Sequence, residues 1–375
     1  MLTIEKVDIK NRSQVRRFVH LPFQFYTNCK QWVPPLLLDI TKSLDPAQHP
    51  FYEHSEGEFY LAVRDNKDVG RIAVLVNHSF NQYHDVKKAQ FYYFECEDNQ
   101  ETANALFERA FEWARQRGLN EIVGPKGLGP LDGYGMLVEG YEHRQMMTMM
   151  NYNHPYLPKL VENLGFEKEV DFVSCYAHTT EFRIPERVHR IAERVQQRGT
   201  LAVKRFADKN ELKAWAPKIG RAYNDSFVNN WEYYPLTERE IQYVLENILT
   251  VADPKLIKAI THKDDVVGFL FGFADFSEAL QRNKGRLLPF GLFDIMHELK
   301  TSKWISVNGT GILPEFQGHG GNALMYSEME KTVSARRFEH ADMTQVAETA
   351  VQMRNDLINL GGKAYKNHRV YHKKI

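Results

Sequence analysis

Trp304-Ile305-Ser306-Val307-Asn308-Gly309-Thr310-Gly311-Ile312-Leu313-Pro314-Glu315-Phe316-Gln317-Gly318-His319-Gly320-Gly321-Asn322-Ala323-Leu324 decides how this chain folds. Apolar and small residues up to Ile312 predict a strand, and the glycines at 318, 320 and 321 predict a tight turn. Beyond the turn, Leu324, Met325, Met329 and Val333 recur at helical spacing and face a core. A strand, a glycine turn and a helix in that order offer unpaired backbone N–H groups at the positive end of a helix dipole. Glycines let a diphosphate approach that backbone, so the turn suits a cofactor pyrophosphate. No Lys-Ser or Lys-Thr follows the glycines and GxGxxG is not at the strand end, which removes the NTPase and dinucleotide readings. The chain has no HExxH, and His340-x-Asp342 is too short a fragment to make a metal site.

Around this stretch lie 375 residues, 48 of them Lys or Arg and 48 Asp or Glu. At about 150 residues per domain the length predicts two domains. A net charge of zero argues against nucleic acid as the main partner. Hydrophobic residues at 43% and aromatic residues at 12% supply core enough to exclude disorder. The longest apolar stretch, Val266 to Ala274, is about half a bilayer span, and no apolar segment follows the charged N-terminus. No transmembrane segment and a cytoplasmic location are therefore expected. Cys29, Cys96 and Cys175 form no CxxC pair and read as buried apolar residues.

Alternation predicts strands at Leu2–Val7, Phe59–Val63, Val69–Val76 and Gln90–Cys96, with Trp32–Pro46 irregular. A helix starts near Glu101 with Asp98 as its cap and ends at Gly118. Strands follow at Glu121–Val123, around Met146–Asn151 and at Asp171–Ala177, with a short helix ended by Gly165 before the last. The pattern then repeats. Gly70 and Gly268 sit in similar hairpins 198 residues apart, and Asn163-Leu164-Gly165 and Asn359-Leu360-Gly361 are 196 apart, which suggests duplication. Between the halves, Glu211–Ser226 and Leu236–Leu249 read as helices, the second opened by the capping box Thr237-x-x-Glu240. The basic tail Lys363, Lys366, His368, Arg369, His372, Lys373, Lys374 reads as a solvated edge, or as a contact for cofactor phosphates or an acidic substrate.

Gln317-Gly318-His319-Gly320-Gly321-Asn322, preceded by Ile312-Leu313-Pro314-Glu315-Phe316, resembles the acyl-CoA signature of the Gcn5-related N-acetyltransferase (GNAT) superfamily, Gln/Arg-x-x-Gly-x-Gly/Ala. It matches at Gln317 and Gly320 and departs at Asn322. Met343 to Glu348 and the helix up to Gly361 resemble that superfamily's last strand and helix, so the likeness covers about 255 to 375. In the first half Glu95-Cys96-Glu97-Asp98-Asn99-Gln100-Glu101 stands where the phosphate loop belongs, and its carboxylates would repel a diphosphate. Gly124 to Arg144 and Tyr152-Asn153-His154-Pro155-Tyr156 are similar to segments that recur in bacterial two-domain GNAT-like proteins. The resemblance implies an α/β fold of two tandem GNAT-like domains, each a mixed, mostly antiparallel twisted sheet flanked by helices. Residues 1–180 form a degenerate domain, 181–200 a connector helix and 201–375 the acyl-CoA-binding domain.

The implied activity is direct transfer of an acetyl or longer acyl group from acetyl-CoA or another acyl-CoA to an amine. Ile312, Leu313, Gln317, Gly318, His319, Gly320, Gly321 and Asn322 are the expected cofactor residues. Glu348 is the expected base; because the position usual for the acid tyrosine is Leu357, Tyr365 or Tyr371 takes that role. Asn308, Tyr134, Asn151, Tyr152 and His154 are expected at the acceptor. Two other readings stand beside this one: a long-chain transferase acting on a lipid amine, and an inactive GNAT-like module that binds CoA or a small ligand. A peptide-forming transferase using aminoacyl-tRNA is disfavoured by the charge balance.

Overall fold

The computed structural model describes residues 1–147, 150–179 and 183–375. Thr148 and Met149, inside the expected Met146–Asn151 strand, and Thr180, Glu181 and Phe182, at the expected junction of first domain and connector, lie outside the described residues. The strands are β1 (Leu2–Lys6), β2 (Glu56–Arg64), β3 (Lys67–Val76), β4 (Lys88–Cys96), β5 (Glu121–Gly124), β6 (Met136–Glu139), β7 (Glu167–His178), β8 (Ala202–Lys204), β9 (Ile257–His262), β10 (Asp265–Ala274), β11 (Trp304–Ile312), β12 (His340–Ala347) and β13 (Lys363–Lys374). The chain divides into two compact units. One holds Met1–Val173, Ser277–Ile295 and Lys366–Ile375, the other Ser174–Phe276 and Met296–Tyr365, so β7 and β13 each contribute to both.

In the first unit β1, β2, β3 and β4 pair antiparallel in sequence order, β4 pairs β5 in parallel, and β13 lies antiparallel to β5 and β6. Asp65 and Asn66 take φ of 49° and 63° in the β2–β3 turn, the left-handed pair that matches strand twist. Period-two alternation sends Tyr60, Ala62, Ile72 and Val74 to one face, where the helix Gln100–Gln116 covers them with Leu106, Phe107 and Ala110. Phe59, Leu61, Ala73 and Leu75 go to the other, under Phe18, Leu21, Ile40 and Leu44.

The second unit repeats the plan. β8, β9, β10 and β11 pair antiparallel and β11 pairs β12 in parallel. The helices Gly321–Ser334 and Glu186–Arg198 cover one face through Leu324, Met325, Met329, Ala192 and Val195. Tyr223 of the helix Lys209–Ser226 and Phe227 just after it meet Phe269, and the helix Glu238–Val251 packs on Lys209–Ser226. These last two helices cross at Gly220, where a Cβ would stand 2.6 Å from Ile241 Cγ2.

Four sequence expectations change. The helix after β4 is capped by Asn99, not Asp98: Asn99 Oδ1 accepts the N–H groups of Glu101 and Thr102 at 2.8 and 3.3 Å. A helix, Leu37–Ser43, interrupts the stretch expected to be irregular. Met146, Met147, Met150 and Asn151 lie in no strand, whereas Met136–Glu139 forms one against β13. The basic tail is no solvated edge. It is β13, with Lys366 and His368 buried, because partners distant in sequence receive its charges. Lys366 Nζ donates to Arg144 O at 2.5 Å, Arg369 grips both oxygens of Asp171 at 2.8 and 3.1 Å, and His372 Nδ1 meets Glu121 at 3.1 Å.

His368 Nε2 must donate to Asn151 O, 2.9 Å away, because a carbonyl only accepts. Its Nδ1 is buried without a partner among the described residues, and burial pushes the imidazole down to about 4. The unfolded chain binds this proton more readily than the folded one, so stability is complete above the ordinary histidine value and falls as the pH drops toward 4. Urea unfolding at pH 7 and pH 5 is expected to differ by about 2 kcal/mol through this residue, a difference that His368→Gln removes.

Candidate active site in the second unit

Two parallel strands separate here. β11 and β12 pair from Trp304–His340 to Val307–Met343 and then run on, β11 to Ile312 and β12 to Ala347, without pairing each other. On the other side of β11, Asn308 and Gly309 stand between the paired Val307 and Thr310 opposite the single Phe271 of β10. That is a β-bulge, with Gly309 at φ 86°. The edge of β11 facing away from β10 thus has no strand partner from Asn308 to Ile312 among the described residues. It presents a row of backbone donors and acceptors suited to a ligand with amides of its own. Behind Phe271 is an apolar hollow lined also by Ile219, Tyr223, Ile241, Val244 and Leu245.

Leu313 N continues the sheet by bonding Val267 O at 2.9 Å, and a 3-10 turn covers Pro314–Phe316. Gln317 Nε2 turns back to donate to Ile312 O at 3.1 Å and so ties the loop to the strand end. Gln317, Gly318 and His319 are exposed. Gly318 has φ 77° and open space where a Cβ would be, whereas a Cβ on Gly320 would stand 2.6 Å from Val195 Cγ2. On Gly321 it would stand 2.8 Å from Ile312 Cδ1. Positive φ and close packing together favour glycine at 320, packing is tight at 321, and the open side of the loop is at 318. The helix Gly321–Ser334 begins with no side-chain cap and no carboxylate in its first turn. By contrast the helices starting at Gln100, Lys209 and Glu238 are capped by Asn99, Asp208 and Thr237, each with an acid in the first turn. The first N–H groups of this helix, at Gly321, Asn322 and Ala323, are of the kind that hold an anion.

At the last paired rungs a buried polar chain crosses three strands. Tyr365 Oη donates to Asp342 Oδ1 at 2.5 Å, and Thr344 Oγ1 donates to Asp342 Oδ2. Because that hydroxyl proton is engaged, Ser306 Oγ is the donor in its 3.1 Å bond to Thr344. Asp342 and Ser306 are fully buried; in the sequence Asp342 stands out only within a fragment too short for a metal site, and Ser306 and Thr344 have no assigned role. Beyond the chain, Tyr176 Oη meets His340 Nδ1 at 2.8 Å. Glu348 sits half-buried in the turn that follows β12, and Asn308 is buried at the bulge. Leu357 is a core residue of the helix Val351–Asn359.

The second unit thus holds Asn308, Ile312, Leu313, the Gln317–Asn322 loop, Glu348 and Tyr365. The other candidates belong to the first unit. Tyr371 is a core residue whose hydroxyl donates to Glu162 at 2.9 Å. Tyr134 stacks on Phe172, and Asn151 Nδ2 donates to the carbonyls of Gly133 and Gly135. Tyr152 Oη donates to Tyr141 O. His154 is stacked between Tyr26 and Tyr156 with Nε2 at 2.9 Å from Phe25 O. Nearby, Arg71 Nε donates to Glu95 Oε2 at 2.7 Å, and burial pushes the Glu95 carboxyl up against the pull of Arg71.

Gly320→Ala is expected to cost about 1–3 kcal/mol through its positive φ and its contact with Val195. Gly318→Asp has room and a side chain that tolerates left-handed backbone. Thermal unfolding should therefore place Gly320→Ala well below Gly318→Asp, which makes position 318 the usable probe of anion binding.

No protein-family model matches the chain. It is 28% identical to the bacterial ceramide synthase of Caulobacter vibrioides (strain NA1000 / CB15N), over 98% of this chain and 97% of that one. It is 23% identical to Protein YghO of Escherichia coli (strain K12), over 97% and 94%. Among solved structures, a tandem GNAT protein from the clavulanic acid biosynthesis pathway matches all of this chain and 98% of its own with a TM-score of 0.58 at 10% identity. The fold of this chain is that of a tandem GNAT protein.

Proposed function

We propose that the chain is an acyl-CoA-dependent N-acyltransferase whose acceptor is a lipid amine. The observation that carries the reading is the uncapped helix N-terminus at Gly320–Gly321, placed after a strand with an open edge. Likeness along nearly the whole chain to a bacterial ceramide synthase supports a lipid acceptor, since a ceramide is a long-chain amino alcohol acylated at nitrogen.

An acyl-CoA supplies an activated thioester carbonyl, which an amine converts to an amide with release of the thiol. The backbone of Gly318–Asn322 holds the diphosphate at the helix N-terminus. The open edge of β11 from Asn308 to Ile312 aligns the amide-bearing arm and orients the carbonyl. Glu348 accepts the proton that the amine loses and returns it to the departing thiolate, so that free thiol leaves. Tyr365 donates its proton to Asp342, which holds the ring in place, so the tyrosine positions the acceptor rather than supplying the acid expected of it.

The test is release of free thiol from palmitoyl-CoA in the presence of sphinganine, with calorimetry of palmitoyl-CoA binding beside it. Thiol release is expected to require both substrates. Tyr365→Phe is expected to lower kcat by about a hundredfold through misplacement of the acceptor while leaving palmitoyl-CoA affinity intact, and Gly318→Asp to weaken that affinity. Binding without turnover on any amine, long or short, would instead make the chain a CoA-binding module; a folded protein that binds no acyl-CoA would end the reading.

A further inference from the structure

Among the described residues no helix is long and apolar enough to cross a membrane, yet one short segment displays apolar side chains in a way the rest of the surface does not. In Leu288-Pro289-Phe290-Gly291-Leu292-Phe293, Leu288 is 79% exposed, Phe290 74%, Phe293 71% and Leu292 47%. Most other large exposed apolar residues, such as Ile9, Tyr83 and Val228, are scattered. Singly placed apolar residues on a surface need no explanation, but four within six positions do.

The segment is built, not loose. Leu292 N bonds Leu287 O at 2.8 Å, and Asp294 N bonds Phe290 O at 3.1 Å. A Cβ on Gly291 would lie 1.8 Å from Arg286 O, so only glycine allows the turn to close. From beneath, Asp294 accepts Arg282 at 2.7 and 3.0 Å and Asn283 at 2.6 Å. Gly285 O accepts Leu37 N at 3.0 Å, which brings in the helix carrying Leu38, itself 48% exposed. Polar groups thus anchor the turn and its apolar groups project.

The charge beside it is positive. Lys284 and Arg286 are exposed in the same turn and have no carboxylate partner among the described residues. Arg286 and Arg16 each lie near His20, whose imidazole is held below its ordinary value by burial and by those two guanidinium groups. The nearest carboxylates in the segment, Asp294 and Glu278, already face Arg282.

From these residues we infer that the turn Lys284–Phe293 is a membrane-docking wedge that inserts Leu288, Phe290, Leu292 and Phe293 into the interface of an anionic phospholipid bilayer. Apolar tips give interfacial insertion, and a cationic rim adds attraction to acidic headgroups over about a Debye length. A second copy of the chain fits less well, because a symmetric contact would set Lys284 and Arg286 against their own counterparts. The inference rests on the lipid-amine reading only in that the acceptor would be drawn from the same bilayer.

Co-sedimentation of the full chain with vesicles tests this without any turnover. Wild type is expected to sediment with phosphatidylcholine/phosphatidylglycerol vesicles and weakly with pure phosphatidylcholine. Phe290→Ser with Phe293→Ser is expected to reduce partitioning to the mixed vesicles at least about tenfold at an unchanged melting temperature, since both rings are exposed. Lys284→Glu with Arg286→Glu is expected to abolish the preference for phosphatidylglycerol. Equal partitioning of wild type and the phenylalanine variant, or none by wild type, would overturn the inference. So would a wild-type dimer in light scattering that the phenylalanine variant turns into a monomer. Acyl transfer to a dispersed amine without vesicle binding would sink the wedge alone, and vesicle binding without acyl transfer would sink the function alone.

Discussion

β11 and β12 stop pairing after Val307 and Met343, and the remaining features of the candidate site follow from that separation. Parallel strands that stayed paired would satisfy each other's backbone and leave nothing for a ligand. The bulge at Asn308–Gly309 starts the divergence by adding a residue to β11 opposite Phe271. Past it, the strand keeps its order through β10 on one side while its other edge is open. The helix Gly321–Ser334 then begins at the end of that open edge with its first N–H groups uncapped. The uncapped helix start and the open edge are consecutive along the chain, the order that the proposed elongated ligand with a charged end would need.

The first unit shows what the same plan becomes when those groups are satisfied internally. β4 and β5 also pair in parallel for three rungs, and β4 carries a bulge of the same kind, with Tyr93 at φ 49°. Gly70 faces Cys96 as Gly268 faces Ile312, and Gly165 and Gly361 both end their helices with positive φ. The differences are local. Lys126 N bonds Phe91 O at 3.0 Å on the side where the strand would be open. Asn99 caps the helix, and Glu97 and Glu101 at its start pair with Arg64. A helix end already holding a side-chain oxygen and two carboxylates does not attract a diphosphate. The duplication inferred from sequence spacing therefore has counterparts in register and in backbone conformation.

How much of this was legible in the sequence depends on how local each determinant is. The hairpins were, because alternation and turn residues sit within a few positions of one another, and so was the Thr237–Glu240 capping box. The glycine turn was legible because backbone geometry itself restricts residue type there. β13 was not: seven basic residues suggest solvent, and only Asp171, Glu121 and the Arg144 carbonyl, far away in sequence, make their burial tolerable. Lys366 in particular buries its stem while its ammonium finds a carbonyl. The chain Ser306–Thr344–Asp342–Tyr365 was hidden for the same reason, since it is assembled from three strands and none of its members is unusual alone.

Gly320 shows why a motif match and a physical role must be argued separately. The resemblance marks it as a phosphate-loop glycine, yet its missing side chain lies against Val195 and Ile191 of the helix Glu186–Arg198. Both demands act on the same residue. Left-handed backbone at Gly320 lets the chain reverse into the helix, whose first-turn amides carry no side-chain cap, while the absent Cβ lets the helix Glu186–Arg198 pack closely. Loss of binding on mutation there would therefore not separate a damaged cradle from a damaged fold. Gly318, exposed and with nothing near its missing Cβ, is free of the second demand. Its positive φ then reports on the turn alone, and the turn is where the proposed chemistry of this chain begins.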